Sequence, residues 1–205
     1  MSNVLEAARY KLKLTPEEFF EIVGEDDKAE LIDGEVIVAS PAGVQHGCIQ
    51  RFLLTILNLF VRGHQLGEVF GEQIAMRLGQ NVFIPDISFL TNAHQDRLEP
   101  GYIQGPVDLA LELVSPDDPD RDRVRKRTAY AQAGVREYWL IDLQSRQITP
   151  YRLEPQGQYT PIAPDERGYY HSEVVPGFFL HPDWLWPASG QLDEFAALRA
   201  LGVLA

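Results

Sequence analysis

The chain has one cysteine in 205 residues, Cys48, so no internal disulfide can hold it together and a reducing compartment is expected. It has no long hydrophobic run. The most apolar stretch, 48–61, is broken by Arg51, Thr55 and Asn58 and is too short to cross a bilayer. The first residues, Met1 to Lys13, contain no apolar segment of signal-peptide length, which gives the expectation of a cytoplasmic protein without a membrane partner. Basic residues are also scarce. Eighteen lysines and arginines against 30 acidic residues leave a net charge of −12, and such a surface repels phosphates at long range.

What is present argues for a folded chain. Hydrophobic residues make up 45% and aromatic residues 10%, enough for one filled core. No repeat or linker divides the sequence, so a single α/β domain over 1–205 is expected. The scarce basic residues are also clustered: Arg121, Arg123, Arg125, Lys126, Arg127 and Arg136 are opposed locally only by Asp122. Such a stripe fits local phosphate contacts; a solvated helix face with paired charges fits it equally well.

Local patterns set out the elements. Thr15-Pro16-Glu17-Glu18 is a capping box that opens a short helix. Residues 30–38 read as a hairpin around Asp33-Gly34, with a type I′ turn. Ile49, Phe52, Leu53, Ile56, Leu57 and Phe60 recur at helical spacing, and Gly63 marks the stop. Strands are expected at 69–78 and 82–90, the second bent by Pro85, then at 107–114 and 137–143. A helix from Asp117-Asp118-Pro119 to Gly134 joins the last two. Segments 146–153, 158–162 and 169–175 read as a peripheral sheet, and 192–201 as a terminal helix.

Two carboxylates stand out against this background. Glu112 lies deep in the apolar run 107–114, and Asp86 sits between Ile84 and Ile87 just after Pro85. A buried, unpaired carboxylate is costly, so each needs a cation, a donor or a proton. If their strands are neighbours, the two face one point and suit Mg²⁺ or Mn²⁺; otherwise they are separately hydrogen-bonded carboxylates at strand ends. Lys126 lies about seven residues into its helix and Glu112 about three residues before the end of its strand. Each offset is roughly 10 Å, so a helix folding back over the strand brings them level. Tyr130 lies one turn further on the same face.

These residues carry a family resemblance. Ile84-Pro85-Asp86 followed by Leu111-Glu112-Leu113-Val114 resembles the PD-(D/E)XK nuclease signature. The ordered set of 30–35, His46, Pro85-Asp86, 112–116, Lys126, Tyr130, 134–135, 137–142, 176–178 and Trp186 resembles the Uma2 (DUF820) family, abundant in cyanobacteria, over about residues 14–187. The resemblance implies a restriction-endonuclease-like α+β fold: a mixed sheet flanked by helices, with extra peripheral strands. It implies a Mg²⁺- or Mn²⁺-dependent endonuclease acting on nucleic acid, DNA before RNA. Asp86 and Glu112 would be metal ligands, and Lys126 would replace the lysine missing at Val114. Glu30 is a candidate third ligand or a hydrogen-bond acceptor. His46 is a candidate phosphate or metal contact or a helix-start cap, and Tyr130 either positions water or fills core. Arg123 and Arg127 are candidate nucleic-acid contacts. Two other readings stand beside catalysis: a nuclease fold that binds without cleaving, and an interaction protein whose basic helix pairs with the acidic surface of a second copy, a homodimer.

Overall fold

The computed structural model describes residues 3–24, 27–38, 43–115 and 117–205. Helix α1 (Asn3–Arg9), not among the expected elements, buries Val4 and Ala7. Helix α2 (Pro16–Ile22) starts at the capping box: Thr15 accepts from the Glu18 amide, and the Glu18 carboxylate takes the Thr15 N–H at 2.8 Å. Strands β1 (Ala29–Ile32) and β2 (Glu35–Val38) form the hairpin. Asp33 and Gly34 have φ of 53° and 79°, both left-handed as a type I′ turn requires. Helix α3 (Val44–Gly63) buries the whole predicted stripe from Ile49 to Phe60.

The two long strands expected next are in fact four. They are β3 (Gly67–Gly71), β4 (Ala75–Leu78), β5 (Asn81–Phe83) and β6 (Ile87–Thr91). The inner pair, β4 and β5, meets across Gly79-Gln80, whereas the outer pair, β3 and β6, joins a different sheet. The residue pattern does not reveal such a change of partner, because strand periodicity does not say which sheet a strand joins. Short strands β7 (Leu98–Glu99) and β8 (Tyr102–Gln104) follow, in the stretch between the expected strands 82–90 and 107–114. Strand β9 (Leu109–Leu113) is fully buried.

After β9 comes a π-helical segment, Arg121–Lys126, which runs into α4 (Arg127–Ala133) and ends at Gly134 with φ 91°. Strand β10 (Glu137–Asp142) lies parallel to β9. Strands β11 (Gln147–Leu153) and β12 (Tyr159–Pro161), expected in a peripheral sheet, extend the edge of that same sheet. Strands β13 (Tyr170–His171) and β14 (Phe179–Leu180) form a small pair apart. Helices α5 (Pro182–Leu185) and α6 (Glu194–Ala200) complete the described elements.

The result is an α+β fold with two mixed six-stranded sheets, ordered β2-β1-β5-β4-β8-β7 and β12-β11-β10-β9-β6-β3. The alternation of side chains along a strand assigns the faces. Ile87, Phe89, Leu109, Leu111, Leu113, Trp139 and Ile141 pack with α3 and the C-terminal elements. Leu90, Ala110, Val114, Tyr138 and Leu140 point the other way, toward Ile32, Met76, Phe83 and Ile103 of the other sheet and Tyr130 of α4. Helices α1 and α2 cover the remaining face through Val4, Ala7 and Phe19 against Leu31, Val36 and Val82. Asp86 and Glu112 share the parity of the second group and therefore face the space between the sheets.

Candidate active site

The site forms where the chain crosses from one sheet to the other. Phe83 ends β5, Ile87 begins β6, and Ile84-Pro85-Asp86 between them pairs with neither sheet. The divergence leaves amides without ladder partners, and carboxylates take them. Glu30 Oε1 on β1 accepts from the Ile84 N–H at 2.9 Å. Asp86 Oδ2 accepts from the Leu113 N–H at 2.7 Å, just beyond the last β6–β9 pair, Ile87 with Leu111. A strand break that places acidic side chains against orphaned amides fixes those side chains without a ligand.

Lys126 closes the arrangement. Its Nζ lies 2.9 Å from Glu112 Oε1, 2.9 Å from Glu30 Oε1 and 3.8 Å from Asp122 Oδ1. Tyr130 donates its hydroxyl to the same Glu112 oxygen at 2.8 Å. Glu112 and Lys126 are only 2% and 3% exposed, so little water screens them. Burial drives the Glu112 carboxyl well above the usual range; Lys126 opposes the rise, and Asp86, Asp122 and Glu30 add to it. Burial also works against the Lys126 charge, but Glu112, Glu30, Asp122 and Asp86 together outweigh it and keep the amine protonated. Burial, with Glu112 next, pushes the Tyr130 phenol up, so it is a donor and not a phenolate.

A cleft of about 720 Å³ opens onto these groups, and Glu30, His46, Asp86, Glu112, Arg123 and Lys126 all line it. His46, in the first turn of α3, sets Nε2 3.6 Å from Asp86 Oδ2, and that carboxylate is the main cause of its raised pKa. Arg123 reaches the rim but is held by Asp142 at 2.5 Å. Arg127 does not belong to the cleft. Its guanidinium lies 5.5 Å from the Tyr151 ring centre, on the face of the helix turned toward β11. The basic stripe therefore does not act as one surface, since Arg136 also turns away, to Asp108 at 3.5 Å.

Asp122 and Arg121, expected only as the lone acid and one member of the basic stripe, also reach the site. Asp122 is 2% exposed and accepts from the Ser115 amide at 3.0 Å; burial raises its pKa against the pull of Lys126. Arg121 lines the cleft with its Nε 4.0 Å from Glu30 Oε2 and 3.7 Å from Asp122 Oδ1. The missed signal is the π-helix. An ordinary helix turns about 100° per residue, so positions five apart fall on different faces; a π-helix, with its i→i+5 bonding, brings them closer in angle. Arg121 and Lys126 are five apart.

The family model of Uma2, described as "Putative restriction endonuclease", matches residues 16–183. The chain belongs to the Uma2 family. Among solved structures, this Uma2 fold is similar to a protein from Anabaena variabilis described as a "putative nuclease belonging to DUF820". The TM-score is 0.72 at 21% identity, over 84% of this chain and 97% of that one. No curated protein sequence matches.

The oxygens left over define what the Uma2 site could hold. Glu30 Oε1 is committed to Ile84 and Lys126, which makes Glu30 a partner of the lysine. Asp86 Oδ1 and Glu112 Oε2 accept no hydrogen bond from any described residue. Among the described residues, no three His, Cys, Asp or Glu side chains are arranged to hold a metal ion by themselves. Around Lys126, the four carboxylates of Glu30, Asp86, Glu112 and Asp122 face two cations, Lys126 and Arg121, an excess of two negative charges when all are ionised. Hard oxygen donors with that imbalance fit a divalent ion that keeps much of its water, as Mg²⁺ does.

Proposed function

We propose that this chain is a Mg²⁺- or Mn²⁺-dependent nuclease that hydrolyses phosphodiester bonds of DNA in the cleft between the two sheets. The observation that carries this reading is the convergence of Asp86, Glu112 and Lys126 on one cleft with two carboxylate oxygens uncommitted. Asp86 and Glu112 would hold the ion, which supplies Lewis acidity toward a phosphodiester when bound.

The chain's own groups have separate tasks. Lys126, kept protonated, donates to charge developing on phosphate oxygens and does not serve as a base. Glu30 and Glu112 fix its amine by contact from both sides. Tyr130 holds Glu112 in one rotamer through its hydroxyl. His46, beside Asp86 and open to the cleft, is placed to meet a phosphate or to exchange a proton at Nε2.

The test is cleavage of plasmid and linear DNA with Mg²⁺, Mn²⁺ or EDTA, by wild type and by Asp86→Asn and Glu112→Ala. Cleavage that needs the metal and both carboxylates supports the reading. A second reading, a nuclease fold that binds nucleic acid without cutting, is favoured by the two donors already on Glu112 Oε1. Salt-sensitive binding with no metal-dependent cleavage would select it.

A further inference from the structure

We infer that Arg121 is a phosphate-binding side chain of this cleft, gripping a non-bridging oxygen of the nucleic-acid backbone beside Lys126. The inference rests on the nuclease reading and names a contact that reading does not contain.

Among the described residues, four lysine and arginine side chains line the cleft: Lys28, Arg121, Arg123 and Lys126. Lys28 is paired with Glu72 at 2.5 Å, Arg123 with Asp142 at 2.5 Å, and Lys126 with two glutamates at 2.9 Å. Arg121 differs. A guanidinium offers five N–H donors, yet its side chain makes no hydrogen bond to any described residue, and its Nε is buried without a partner. Glu30 and Asp122 stand 4.0 and 3.7 Å from that nitrogen, near enough to hold the charge and too far to satisfy the donor. Its side chain is 15% exposed, so the orphan cannot be dismissed as a solvated surface group.

Buried donors without acceptors are costly, and planar guanidinium is suited to two-point contact with phosphate. Arg121 and Lys126 both stand against Glu30 and Asp122 and both line the cleft, so the two cations present donors to one space. On a chain of net charge −12, a local grip of this kind must do what long-range attraction does not. The competing account is that Arg121 only offsets the charge of Glu30 and Asp122.

The two accounts separate in binding of a fluorescein-labelled 20-base-pair DNA duplex, with Ca²⁺ in place of Mg²⁺ and salt varied. For Arg121→Gln, affinity at low salt should fall roughly tenfold or more, and the slope of log Kd against log salt should fall by about 1. Arg121→Lys should keep the slope and lose affinity only severalfold, because it retains the charge and loses the fork. If Arg121→Gln melts like wild type and binds with unchanged affinity and slope, the inference is overturned while the nuclease reading stands. If Arg121→Gln does not fold, Arg121→Lys decides: weaker binding with normal melting supports the contact, and equal binding overturns it. A wild type that neither binds nor cleaves DNA removes the nuclease reading, and Arg121 with it.

Discussion

The Lys126 ammonium lies 2.9 Å from Glu30 Oε1, a contact that ties the helix after β9 to a strand of the opposite sheet. Removing the amine should therefore act on charge as well as on catalysis. Lys126→Ala is expected to abolish cleavage and to tighten Mg²⁺ binding, since it takes a cation away from four carboxylates. Calorimetric titration beside a cleavage assay checks this. Weaker metal binding in the variant would mean that the lysine organises the ligands and does not compete with the ion. Lys126→Arg should rescue poorly, because a planar guanidinium does not fit between two glutamate oxygens set for a compact ammonium.

Asp86 combines a structural task with its proposed chemical one, and two substitutions divide them. Asp86→Asn keeps an oxygen for the Leu113 N–H and should melt close to wild type while losing metal binding. Asp86→Ala orphans that amide and should cost a further 1–3 kcal/mol, roughly the penalty for an unsatisfied buried donor. Thermal melts in EDTA give the comparison. Equal stability of the two variants would show that Leu113 finds another acceptor.

Glu112 predicts a pH dependence. Its pKa is raised well above 4.5 by burial, so between 4.5 and that raised value the folded chain holds a proton that the unfolded chain has released. Fewer protons bound in the unfolded state means that this contribution to stability falls as pH rises through the window. Glu112→Gln lacks the titrating group but can still accept from Lys126 and Tyr130. It should match wild type near pH 4.5 and become more stable than it, by roughly 1–2 kcal/mol, at neutral pH without metal. A variant less stable than wild type at every pH would contradict the burial argument.

The basic stripe gives a contrast between two arginines. Arg127→Gln should leave the salt dependence of DNA binding unchanged, since its guanidinium covers Tyr151 outside the cleft. Arg123→Gln should flatten it modestly, because Arg123 reaches the rim but is shared with Asp142. Equal effects would indicate that the substrate spreads over the whole helix.

How far the sequence reached depends on the kind of signal each feature leaves. The capping box at Thr15, the Asp33-Gly34 turn and the α3 stripe are local, and local chemistry decides them. Lys126 could be set level with Glu112 because only rise per residue was needed. The second sheet left no comparable trace. The residue pattern of 69–78 and 82–90 does not say which sheet holds each half, so the crossings at 72–74 and 84–86 are tertiary facts. Arg127 was placed with Arg123 because both lie in one charged run, and nothing in that run says which side chain will find Tyr151. Arg121 was read with the same run, and nothing in that run gives the π-helical turn that sets it, with Lys126, against Glu30 and Asp122.

That widened turn has a consequence for how the family could change. A helix segment that accommodates one residue more than its neighbours works as a vernier between two parts of the chain, the Ser115–Asp122 contact before it and the Tyr130–Glu112 contact after it. Deleting Val124 or Arg125, both exposed, would let the helix relax to ordinary pitch with no core side chain lost. The two contacts could then not be kept in phase. Such a variant should fold and melt almost normally, yet present either its cationic pair or its tyrosine to Glu112, never both. The site would be silenced by an indel that leaves every one of its functional side chains in the sequence.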